Sequence, residues 1–162
     1  MSYGFLNGTT VETGLGAHAI ERMRPGDRVL TLAGKLERVV WVGQTKISAK
    51  EVARAPAMKP VRLLADNFSP MSPTRDLTIA PGQGVLSCFG AGRAASRIMA
   101  AKSVPLRARR LSVIADMTFT QLLLERDGLI LVNGIWCQSM VTEDVIDGVG
   151  YETQTAIHRL AG

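Results

Sequence analysis

The sequence predicts an all-β domain, a compact set of many short antiparallel strands with one to three short helices and a twisted, partly closed sheet. Three observations predict it. Short apolar runs rich in Val, Ile and Thr recur along the chain, and each stops at Gly, Pro, Asp or Asn. Two of the interruptions read as tight turns, and segments with helical spacing are scarce. At 162 residues, 46% of them apolar and 20% charged, the chain is long enough to bury a core and too apolar to stay disordered.

The elements follow in order. Arg24–Asp27 (RPGD) sets Pro and Gly at the centre of a turn, because Pro presets φ and Gly accepts a positive one. It delivers the chain into strands at Arg28–Leu32 and Glu37–Gly43. Ser48–Ala55 reads as a helix: Ser48 is an N-cap, Glu51 completes a capping box, and Pro56 stops it. Strands at Val61–Ala65, Asp76–Ala80 and Gly84–Phe89 come next. Arg93–Ser103 spaces Ile98 with Ala94, Ala95 and Ala101 as a second short helix. Phe119–Glu125 and Leu129–Met140 complete the strands, the latter folded back at Asn133-Gly134, where a type I′ turn wants positive φ at both central residues. Tyr151–Gly162 either closes the chain as a helix packed by Ala156, Ile157 and Leu160 or frays. Residues 1–140 form the β domain and 141–162 an acidic C-terminal extension.

The net charge of +5 is unevenly spread. No acid lies between Asp76 and Asp116, an interval that holds Arg93, Arg97, Lys102, Arg107, Arg109 and Arg110. From Glu125 onward acids dominate. The basic segment 93–110 is a candidate surface for an anionic partner or nucleic acid, although no aromatic residue between Phe89 and Phe119 offers a stacking platform for bases.

Several classes are excluded or disfavoured. No apolar run is long enough to span a membrane, so no membrane association is expected. The N-terminus lacks the basic start and apolar stretch of a secretory signal, which makes the cytoplasm the default location and leaves export by another route open. Cys88 and Cys137 form no CxxC or Cys/His pattern, so the expectation is buried thiols, no metal and no cofactor. His18 and His158 are the only histidines, which restricts acid–base chemistry near neutral pH.

GFLNGTTVETGLGAHAIERMRPGDRVLT, Gly4–Thr31, resembles the N-terminal block of bacterial Hint (Hedgehog/intein) domains, with Phe5, Gly8, Thr9, Val11, Thr13, Glu21 and Arg24–Asp27 in register. VVWVG, KPVRLLA, RDLTIAPGQGVL and LLLERDGLILVNGIWCQSM resemble later blocks in the right order, so the likeness covers most of residues 4–140. It implies a horseshoe-shaped β fold. It also implies a self-cleaving reaction in which a first Cys attacks the preceding carbonyl, assisted by a His.

This chain departs from that pattern at the positions of the chemistry. Gly4 stands for the Cys, Gln83 for the assisting His, and Gln121 and Asp127 for two later histidines. Glycine carries no nucleophile, and a carboxamide moves no proton near neutral pH. The expectation is a catalytically inactive Hint-fold module, a structural or protein-binding component of a larger assembly, with a protein partner and homo- or hetero-oligomerisation open. Its former centre, lined by Gln83 and Gln121, is expected to be a filled pocket, the alternative being that the two amides hydrogen-bond a peptide or strand end. The alternatives are a self-cleaving enzyme that uses Ser2, Thr9 or Cys88 as nucleophile, and binding of an anionic surface or nucleic acid through segment 93–110. The first lacks a visible base, since neither histidine lies in a motif that would place it there.

Overall fold

The RPGD turn closes as its residues demand. Asp27 N donates to Arg24 O at 3.0 Å, Gly26 takes φ +100°, and the Asp27 carboxylate accepts from Arg24 N at 2.8 Å. The Asn133-Gly134 hairpin has positive φ at both residues, 45° and 83°, with Val132 opposite Ile135. These turns belong to a computed structural model that describes residues 3–65, 73–88, 96–101, 108–113 and 115–140.

The first strands are β1 (Phe5–Leu6), β2 (Thr10–Thr13), β3 (Gly16–Ala19), β4 (Arg28–Leu30) and the long β5 (Leu36–Ile47). Helix α1 (Ala49–Arg54) and a 3₁₀ turn (Pro56–Met58) lead to β6 (Val61–Leu63), β7 (Leu77–Ile79), β8 (Gly84–Cys88), β9 (Ser96–Ala100) and β10 (Ala108–Arg110). β11 (Met117–Leu124), β12 (Leu129–Val132) and β13 (Ile135–Gln138) complete the sheet. All thirteen strands join one curled sheet in the order β10-β6-β7-β1-β11-β5-β4-β2-β12-β13-β8-β9, with β3 beside β2. β5 ties its halves together: residues 36–38 pair with β4, and residues 39–47 with β11.

α1 starts where the sequence places it. Ser48 Oγ accepts from Glu51 N at 3.1 Å, and Glu51 Oε2 accepts from Ser48 N at 2.8 Å. Val52 then buries its side chain with Ile47 and Phe119. The main core gathers Phe5, Val11, Val29, Leu77, Ile79 and Ile130 among others, all nearly inaccessible. Each such side chain contributes roughly 1.5–3 kcal/mol by leaving water.

The helix expected over Arg93–Ser103 is corrected. Ser96–Ala100 is strand β9, paired antiparallel with β8 from Gly84↔Ala100 to Cys88↔Ser96. A short Ala-containing segment holds no helix alone, whereas the edge of β8 offers each residue a backbone partner. The basic segment also contributes β10, which pairs with β6. The C-terminal helix over 151–162, and the extension 141–162 as a whole, lie outside the described residues. Among the described residues no helix is long and apolar enough to cross a membrane.

Candidate functional site

β1 is two residues long, yet it sits inside the sheet, with Phe5 opposite Ile79 on β7 and Thr120 on β11. Ala80 N donates to Gly4 O at 3.0 Å, so the ladder continues one residue upstream. The sheet therefore carries the Tyr3–Gly4 peptide bond to a buried junction of three strands, and side chains from two of its neighbours meet it there.

Gln83 arrives through the turn Ala80–Gln83, closed by Gln83 N donating to Ala80 O at 3.1 Å, with Pro81 at the second position where its fixed φ suits a turn. Its side chain is 3% exposed. Gln83 Oε1 accepts from Gly4 N at 3.0 Å, while Nε2 donates to Gln138 O at 2.7 Å and to Gly84 O at 3.2 Å. A main-chain N–H on one side and two carbonyls on the other leave a single arrangement of the carboxamide.

Gln121 lies in the middle of β11, opposite Gly43 on β5, and is 6% exposed. Gln121 Nε2 donates to Tyr3 O at 3.0 Å and to Thr45 Oγ1 at 3.1 Å. Both polar atoms of one peptide group are thus held: the Gly4 N–H by Gln83, the Tyr3 C=O by Gln121. Gly4 has φ +116°, and a Cβ built on it would meet Gln121 Nε2 at 2.8 Å and Thr120 O at 3.0 Å. The space that a side chain on residue 4 would need is filled by Gln121.

The remaining candidates do not join this centre. Asp127 is exposed in the turn between β11 and β12. Arg109 and Arg110 are exposed on β10, and the Arg110 guanidinium donates to Pro56 O at 3.2 Å and Ala57 O at 3.0 Å. That pairing makes Arg110 a brace for the 3₁₀ turn. Arg97 lies on β9 opposite Ser87. Arg93, Lys102 and Arg107 lie outside the described residues, as do Ser2 and His158. His18 is exposed on β3, opposite Val11. Thr9 is buried in the turn before β2, with its carbonyl accepting from Ile20 N at 2.8 Å. Cys88 ends β8. Cys137 is a buried free thiol, and burial pushes it above its ordinary range, away from the reactive thiolate. Asp27 and Asp76 cap main-chain N–H groups, of Arg24 and Ala65 at 2.8 Å each. No group of His, Cys, Asp and Glu among the described residues is arranged to hold a metal ion.

Two contributors carried no signal of their own in the sequence. Thr45 accepts the second Gln121 hydrogen, and Thr120 donates to Asn7 Oδ1 at 2.7 Å just beyond β1. Their roles depend on the β5–β11 and β1–β11 registers, which no local motif encodes.

A model of the Hint domain matches residues 3–144. No curated protein matches the chain. Among solved structures, a bacterial intein-like domain from Clostridium thermocellum is similar at TM-score 0.59 and 11% identity, over 86% of this chain and 100% of that one. A DnaB intein from Synechocystis sp. PCC 6803 is similar at TM-score 0.58 and 10% identity, over 86% and 100%. The gp41-1 intein is similar at TM-score 0.54 and 14% identity, over 85% and 98%. At these identities the likeness is one of fold.

Proposed function

The chain belongs to the Hint domain family, and from that premise we propose that it is a non-cleaving member, a folded module that serves as a structural or protein-binding component of an assembly. The observation that carries this reading is the Gln121 amide lying where a side chain on residue 4 would have to stand.

Acyl transfer at the Tyr3 carbonyl needs an attacking atom, a proton for the departing nitrogen, and a donor for the charge that develops on oxygen. Among the described residues only the donor has a counterpart, in Gln121 Nε2. Gly4 supplies no attacking atom. Its nitrogen faces Gln83 Oε1, an acceptor with no proton to give, so the leaving group would depart unprotonated. The buried Cys137 thiol is no substitute nucleophile. Without the reaction, the module's contribution rests on its surface and on what it holds, and its partner is another protein.

The test is a fusion of a folded cargo upstream of Tyr3, followed by intact mass with and without thiol or hydroxylamine. The expected result is an unbroken chain under every condition. Release of cargo at the Tyr3–Gly4 bond overturns the proposal.

A further inference from the structure

We propose that Gln83 and Gln121 form a main-chain receptor for an extended segment of the type Xaa-Gly-Phe-Xaa-Asn, and that the chain fills it with its own residues Tyr3–Asn7. This inference rests on the non-cleaving reading and deepens it by assigning the ligand class of the same centre.

The receptor is built. Both carboxamides are more than nine-tenths buried, and both reach the same peptide group. Their remaining hydrogens are committed to Gln138 O, Gly84 O and Thr45 Oγ1, so the amides are fixed in place before they meet the ligand. Preorganised donors and acceptors of this kind bind with little reordering.

Selectivity follows from three contacts. Position 4 favours glycine, because a Cβ would press on Gln121 Nε2 at 2.8 Å and Thr120 O at 3.0 Å and because φ +116° strains any other residue. Position 5 takes a ring: Phe5 is 2% exposed between β7 and β11. Position 7 reads as Asn, whose Oδ1 accepts from Thr120 Oγ1 at 2.7 Å while its N–H donates to Thr118 O at 3.0 Å. A polypeptide entering at Tyr3 is consequently retained by non-covalent contacts at the point where a cutting relative would release it.

The test has two arms on the full chain. In the first, Gly4→Ala loosens the resident segment, and a synthetic peptide acetyl-Tyr-Gly-Phe-Leu-Asn-Gly-amide is titrated in. Binding at least about tenfold tighter than for the same peptide with alanine in place of its first glycine is expected. Equal binding of the two peptides, or no binding of either, overturns the proposal. In the second arm, which stands if that variant fails to fold, hydrogen exchange at the Gly4 amide is compared between wild type and Gln83→Leu. Exchange should quicken by about tenfold or more in the variant while core amides of β5 and β11 stay protected. An unchanged Gly4 rate overturns it. Neither arm reads cleavage, so a failure of the receptor is distinct from a failure of the non-cleaving reading, which shows only as released cargo.

Discussion

Gln121 and Asp127 come from one stretch of sequence and end in opposite surroundings. Gln121 sits mid-strand, buried, with both amide hydrogens spent on Tyr3 O and Thr45 Oγ1. Asp127 sits past the end of β11, in a turn open to solvent. The same contrast separates Gln83, locked at a junction of three strands, from Arg109 and Arg110 on the sheet's outer edge. The difference teaches that substituting a residue means different things in the two places. In the interior the new side chain has to satisfy every polar group around it, so its identity is constrained. At the rim water can share that task, so residue identity is less constrained.

The sharpest way to break this comparison is to place a thiol at residue 4. Gly4→Cys puts a Cβ and a sulfur against Gln121 at positive φ, and the combined overpacking and backbone strain is expected to cost on the order of 2–4 kcal/mol. Chemical denaturation should show that loss, and intact mass should show no cleavage. A Gly4→Cys chain as stable as wild type would mean that Gln121 does not fill the site.

A smaller effect separates interior from rim directly. Gln121→Ala leaves the Tyr3 carbonyl without its donor and is expected to destabilise by about 1–3 kcal/mol. Asp127→Ala, at an exposed position past the end of β11, should cost less than Gln121→Ala. Urea midpoints measured in parallel decide it, and equal losses would erase the distinction.

The smallest effect lies at the exposed cap of α1. Ser48 N–H, and then the Ser48 hydroxyl, hold the Glu51 carboxyl below its ordinary value of 4.5, although partial loss of water and the nearby Asp116 charge push the other way. A group whose pKa is lower when folded stabilises above its unfolded pKa, and that contribution is lost as pH falls through the lowered value. Glu51→Gln should therefore flatten the stability profile slightly below about pH 4.5 and leave the Gly4 centre untouched. A profile identical to wild type in that range would remove the cap from the account.

Much of the fold was legible locally. RPGD, Asn133-Gly134 and the Ser48–Glu51 box closed as read, since each is a short-range device whose partners are a few residues apart. The strand–turn alternation fixed an all-β class for the same reason. Ser96–Ala100 misled, because alanine spacing favours helix while the open edge of β8 favours pairing, and the long-range partner won. Of the Gly4 centre, the sequence indicated the residue types: Gly4, Gln83, Gln121 and Asp127 stand where the resemblance led one to expect Cys and His. It did not indicate that Gln83 and Gln121 would grasp the two ends of a single peptide group, nor that Asp127 would stay apart.

By itself, then, the sequence determined the turns, the strand class and the absence of a nucleophile at Gly4, all of which depend on residue type and near neighbours. Tertiary structure decided that β1 is inserted between β7 and β11, strands more than seventy residues away along the chain. It also decided that Gln121 occupies the space beside Gly4. Those outcomes depend on register between remote strands, which the whole core sets through burial of one face of each strand.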